Sequence, residues 1–261
     1  MLIRTLACST LMVSAAQAGT VLETLSRDLT NGEESVAKTY AQSGKLRIDT
    51  GDTQDGVVIF RDDTIYMIDP QEKSYIVMDR AGMKRMAEQI NPALQMLQQQ
   101  LANMPPEQRA QLEQMLGQKM PGSGKAPKRE IRKTSRTATV SGHSCTYAEV
   151  VQDGALVAEM CVAPATGLKA GKELYDVGVK VGAMVKEMLE GLDASFLQEM
   201  AQSGLDDLER LGGLPLLTRT FESGKAVEET TVTSIRSETL AESLFDVPSG
   251  YRRQEMPTLS Q

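Results

Sequence analysis

Tryptophan is absent from this 261-residue chain, phenylalanine occurs four times, and aromatics make up only 4% of it. So few rings argue against a sugar-stacking cleft. A single histidine, His143, and three cysteines leave few of the usual zinc ligands, and no H-E-x-x-H pair occurs. A serine-centred G-x-S-x-G elbow is likewise missing, and the glycines near residues 121–124 lack the Lys-Ser/Thr of a phosphate loop. With 28 basic residues against 35 acidic ones and a net charge of −7, the chain has no basic footprint for duplex nucleic acid. No apolar run approaches the roughly 20 residues that a membrane-spanning helix needs. No catalytic constellation or cofactor pattern is legible, so neither enzyme activity nor a cofactor is expected.

What is present begins at the N-terminus. Arg4, the apolar run from Leu6 to Val13 and the small residues Ala16 and Ala18 form the three-part pattern of a secretory signal peptide. Cleavage is expected between Ala18 and Gly19, which places the protein in the periplasm. Cys8 follows Leu6-Ala7, but Thr5 and the short run before it fit a lipid-anchor motif poorly. Removal of residues 1–18 leaves Cys145 and Cys161, and an even pair in an exported protein reads as a disulfide. Gln152-Asp153-Gly154 lies between them and predicts a hairpin. A three-residue loop sets Val151 against Ala155 and Cys145 directly opposite Cys161. A redox-active pair is the other reading, but CxxC spacing is absent.

Short apolar runs at Val21–Leu29, Val36–Ala41, Lys45–Asp49, Val57–Arg61, Thr64–Ile68 and Ser74–Met78 are separated by turn formers such as Ser43-Gly44, Asp62-Asp63 and Asp69-Pro70. Such runs predict an antiparallel meander, because parallel pairing needs long crossovers. Further strands are expected over Glu130–Val140, through the hairpin to Val162, and over Leu216–Glu222 and Val227–Ile235. Met83, Met86, Ile90, Leu94, Leu97, Leu101 and Met104 recur at spacings of three and four, a helical stripe. A second stripe runs through Leu174, Val177, Val181, Met184 and Met188 toward Leu208. The fold class expected is α+β: residues 19–261 form a single curved antiparallel sheet, with helical insertions at about 80–120 and 172–211 packed on its concave face.

The motifs carry a resemblance. Gly44-Lys45-Leu46-Arg47-Ile48-Asp49, Lys73-Ser74-Tyr75 ahead of a Met-rich helix, Pro105-Pro106-Glu107-Gln108-Arg109, the Cys145–Cys161 hairpin and Phe245-Asp246-Val247-Pro248-Ser249-Gly250-Tyr251 resemble an uncharacterised exported bacterial family, domain of unknown function 4412. More distantly, strands followed by F-x-x-P-x-G-Y are similar to the periplasmic lipoprotein carriers. That similarity implies a half-open β-barrel whose helices plug an apolar cavity for acyl chains. Neither resemblance supplies catalytic residues.

Methionine is plentiful, with 15 residues. Its flexible, polarisable side chain suits a surface that accepts varied apolar ligands. Met67, Met78, Met83, Met86, Ile90, Leu94, Leu97, Met184 and Met188 therefore line a lipid cavity between sheet and helices, or else simply fill the core there. Lys125, Lys128, Arg129, Arg132, Lys133 and Arg136 form the one dense basic stretch. It meets anionic lipid headgroups or an acidic envelope polymer, or else decorates a solvated edge strand. The function expected is apolar ligand binding in the envelope. The alternative is a non-catalytic interaction or scaffold module with an envelope protein as partner.

Overall fold

A computed structural model of the chain describes residues 18–51, 56–85, scattered positions between 88 and 108, 128–168, 170–190 and 207–255. Twelve strands occur among them. The first six are β1 (Ala18–Asp28), β2 (Glu34–Gln42), β3 (Lys45–Asp49), β4 (Val57–Arg61), β5 (Thr64–Asp69) and β6 (Ser74–Met78). Then come β7 (Arg129–Val140), β8 (His143–Gln152), β9 (Ala155–Pro164), β10 (Gly213–Glu222), β11 (Lys225–Thr239) and β12 (Arg252–Gln254). They form one sheet in the order β12-β6-β5-β4-β3-β2-β1-β11-β10-β9-β8-β7, curved and unclosed, with β12 and β7 at its edges. Every pairing is antiparallel except β12 on β6, which is parallel and departs from the expected all-antiparallel meander.

Turn chemistry explains the meander. Asp62 and Asp63 both adopt positive φ between β4 and β5, as do Asp153 (φ 50°) and Gly154 (φ 86°) between β8 and β9. Such two-residue turns match the twist of adjoining strands. They also correct the hairpin register. The loop has two residues, Gln152 pairs with Ala155, and a bulge follows at Val150/Val151, so Cys161 lies opposite Tyr147. The cysteines sit diagonally with Cα atoms 5.3 Å apart, and the expected disulfide is formed there. A bulge at Glu23/Thr24 and a wider irregularity at Lys133/Thr137, where residues 134–136 stand against Tyr147 alone, interrupt the register and add local bending.

Helix α1 (Gly171–Glu190) carries the second predicted stripe. Leu174, Val177, Met184 and Met188 are all buried. Leu174 joins the cluster that holds both cysteines, Leu22, Ala41, Leu216 and Val232. The short helix α2 (Asp207–Leu211) places Leu211 against Ala148 and Val162, which alternate with the cysteines along β8 and β9. Arg129 of β7 ties α2 down through a 2.5 Å ion pair with the buried Asp207. From the first predicted stripe, residues 80–85 are helical and Met83 is buried. Met86, Ile90, Leu94 and Leu97 lie outside the described residues, as do residues 191–206 of the second insertion.

After β11 the chain crosses the other face of the sheet. Leu240, Leu244, Phe245, Val247 and Tyr251 pack on Val21, Tyr40, Ile59, Ile68 and Tyr75. Ion pairs Lys45–Glu242 and Arg61–Asp246 fasten this strap to β3 and β4. The Lys45 ammonium holds the Glu242 carboxyl below its ordinary value of 4.5. A carboxylate depressed in the folded state stabilises above its unfolded pKa and loses that contribution as pH falls through the folded one. Thermal melts should therefore show wild type slightly above Glu242→Gln at about pH 6, the difference shrinking as the pH falls through the carboxyl's lowered pKa.

Candidate functional site

Strand register sorts the apolar residues of β3–β6 into two faces. On one face, Leu46, Phe60, Ile65 and Met78 lie opposite one another in a row across four strands. This row packs against Met83, Val177, Met184 and Met188, with Phe60 1% exposed. The next row on the same face is Ile48, Val58, Met67 and Ile76. Its members are half-buried except Met67, which is 41% exposed. The structure therefore brings Met78, Met83, Met184 and Met188 together in packed contact, and leaves Met67 at the surface one row away.

The strap-bearing face carries a cleft of about 560 Å³. Val36, Tyr40, Val57, Ile68, Pro248 and Tyr251 form its apolar walls, and Lys38, Arg47 and Asp49 its charged rim. Arg47 is held in place, its Nε donating to Asp49 Oδ1 at 2.7 Å and its Nη1 to the Leu244 carbonyl at 3.0 Å. The Lys38 ammonium stands 3.5 Å from Glu23. No sequence pattern joins these residues, because Val36 and Tyr251 meet only through the strap. Four of the chain's six tyrosines, Tyr40, Tyr66, Tyr75 and Tyr251, belong to this face, a concentration that sequence spacing does not reveal.

A second cleft, of about 740 Å³, is lined by Asp28, Glu33, Glu34, Glu222 and Glu228 among others. The Thr30 hydroxyl and the Thr30 and Asn31 backbone N–H groups donate to Asp28 and lower its pKa. Among the described residues no three acidic, cysteine or histidine side chains converge as a metal site. Of the basic stretch, Arg129, Arg132, Lys133 and Arg136 lie on edge strand β7 and Lys128 just before it, and the arginines are paired: Arg129 to Asp207, Arg132 to Glu130, Arg136 to Glu149 and Glu159. Lys125 lies outside the described residues. His143 opens β8 directly after the Ser141-Gly142 turn.

At the predicted cleavage junction, Ala18 is exposed at the first position of β1 and Gly19 is buried. A Cβ on Gly19 would stand 2.9 Å from the Ala41 carbonyl and 2.5 Å from Leu240, so the close approach of β2 and the strap requires glycine there. Two of the motifs singled out in the sequence have structural positions. Gly44–Asp49 makes the β2–β3 turn and β3, and Phe245–Tyr251 is the later part of the strap that begins at Leu240.

No family model matches the chain, and no curated protein does. Among solved structures, it is similar to an uncharacterized conserved protein from Thermus thermophilus, at 9% identity and a TM-score of 0.45, covering 90% of this chain and 89% of that one. It is also similar to PNGF-II (11% identity, TM-score 0.42, 93% of this chain, 32% of that one). The third is MucB in the MucA/MucB complex of Pseudomonas aeruginosa, at 12% identity and a TM-score of 0.39, covering 88% of this chain and 56% of that one. The chain thus spans about a third of PNGF-II and just over half of the MucB complex chain. All three TM-scores fall below 0.5.

Proposed function

We propose that this protein works outside the cytoplasm as a non-catalytic binding protein, holding an apolar ligand of the lipid acyl class against the helix-bearing face of its sheet. The observation that carries this reading is the apolar row Ile48, Val58, Met67 and Ile76, half-buried apart from the exposed Met67 and in register beside a row buried under α1. Large apolar side chains grouped at a surface mark a binding site more often than scattered ones do. The sequence adds the apolar stripe Met86, Ile90, Leu94 and Leu97. Burial of acyl surface contributes about 25 cal/mol per Å², and methionine adapts to chains of different length. The Cys145–Cys161 disulfide supports an oxidising compartment.

Native mass spectrometry of the protein, extracted from the envelope without detergent, should show co-purified lipid. In titrations with the uncharged probe pyrenedecanol, Met67→Glu should weaken binding about tenfold, or about 1.4 kcal/mol. Its melting should stay within the roughly 0.5 kcal/mol usual for surface substitutions. Absence of lipid together with equal probe affinity in both forms would overturn the reading, and would favour a scaffold role with a filled interior.

A further inference from the structure

We propose that the cleft on the strap-bearing face is a second and independent binding site, and that it takes a small amphipathic monoanion, an alkyl or aryl carboxylate. Its volume of about 560 Å³ lies inside the range of roughly 300–1,000 Å³ typical of small-molecule sites. Its floor is rigid, because Tyr40, Val57 and Tyr251 pack against the buried Ile59, Ile68 and Phe245. At its mouth Val36 is 49% exposed, a large apolar side chain with contact area to offer.

Charge then selects the ligand. Lys38 and Arg47 are the cations of the lining and Asp49, which holds Arg47, is its carboxylate; Glu23 stands outside the lining, 3.5 Å from Lys38 and closer, at 3.1 Å, to Arg236. Arg47 is fixed by Asp49 and the Leu244 carbonyl and cannot turn far. Lys38 is different. Its 3.5 Å separation from Glu23 exceeds the about 2.7–3.2 Å of a good N–H···O bond, and its side chain is 47% exposed. Its ammonium is therefore held loosely by Glu23, which Arg236 also pairs, and a ligand carboxylate whose apolar body lies on Val36, Tyr40 and Tyr251 competes for it. An uncharged analogue forgoes that charge-assisted contact, and a cationic one meets Lys38 and Arg47.

Decanoate, titrated below its micelle concentration into the full chain and followed by amide chemical shifts, tests the site. Saturable shifts are expected at Val36, Tyr40 and Tyr251. Decanol should bind about tenfold more weakly, and Lys38→Glu should weaken decanoate by a similar factor. Val36→Asp, at an exposed position, should remove binding without unfolding the protein. Met67→Glu should change nothing, which separates this site from the helix-bearing face: either can fail while the other stands. Equal affinity for decanoate and decanol, an unaffected Lys38→Glu, or loss of binding in Met67→Glu would overturn the proposal.

Discussion

Replacing both Cys145 and Cys161 by alanine should cost about 3 kcal/mol, the value expected when a closed loop of some 15 residues is opened in the unfolded chain. The bridge closes a separation of 16 residues. For a chain of this size that corresponds to a melting decrease of roughly 6–12 °C, at about 2–4 °C per kcal/mol. Each single substitution should cost about as much as the pair, since either one opens the loop. The two residues are 1% and 0% exposed, packed with Val140, Leu168 and Leu216. Reductant should therefore act on the native protein slowly, and only as fast as the hairpin opens. Binding of pyrenedecanol and of decanoate should survive in the folded fraction. Unchanged melting with lost binding would instead assign the pair a functional role.

How far the chain announces its own fold is clearest in β3, β4 and β6, whose bounds follow residue for residue from apolar runs between turn formers. Asp62-Asp63 and Asp153-Gly154 adopt left-handed geometry because short polar side chains or glycine tolerate it, and that tolerance is visible in sequence. The hairpin register is not legible. A bulge adds one residue to β9, and the apolar alternation around Val157 reads the same with or without it. Strand β10 begins three residues earlier than its apolar run, at Gly213. Gly212-Gly213 and Pro215 read as breakers, yet a Cβ at Gly213 would lie 2.2 Å from the Ala163 carbonyl, so glycine is what lets β9 approach. Strand β12 escapes sequence reading for a different reason. Arg252, Arg253 and Gln254 are all exposed and bury nothing, so backbone pairing to β6 alone holds them.

The site divides in the same way. Helical periodicity sets Met184 and Met188 on one face of α1, while their packing with Met83, from a separate helical segment, is tertiary and not legible in spacing. Met67 is expected with them from the sequence, and strand alternation puts it on the face of Ile65 but one row out, where it is 41% exposed. The opposite cleft has no sequence signature. It is assembled from four strands and the strap, and its positive rim comes from Lys38 and Arg47 on separate strands.

Phe245→Ala should be more damaging still than the loss of the disulfide, at about 3–5 kcal/mol. Phe245 is 1% exposed, and it joins Leu240 to Val21, Ile59 and Ile68, so truncation removes a buried ring and leaves a void that three strands line. Leu240, Leu244, Val247 and Tyr251 also pack on the sheet, but Phe245 is the largest strap side chain so fully buried, and the strap's ion pairs lie at the surface, where they contribute little. Without its ring, the segment from Glu242 onward should loosen as a unit, and β12 should leave β6. Hydrogen exchange would show this as lost protection in β6 and β12, while β8 and β9 around the disulfide keep theirs. Decanoate binding should fall with it, because Tyr251 and the Leu244 carbonyl that orients Arg47 both belong to the strap. Pyrenedecanol binding on the helix-bearing face should persist. A Phe245→Ala protein that melted like wild type and still bound decanoate would mean that the strap is neither a core element nor a wall of the cleft.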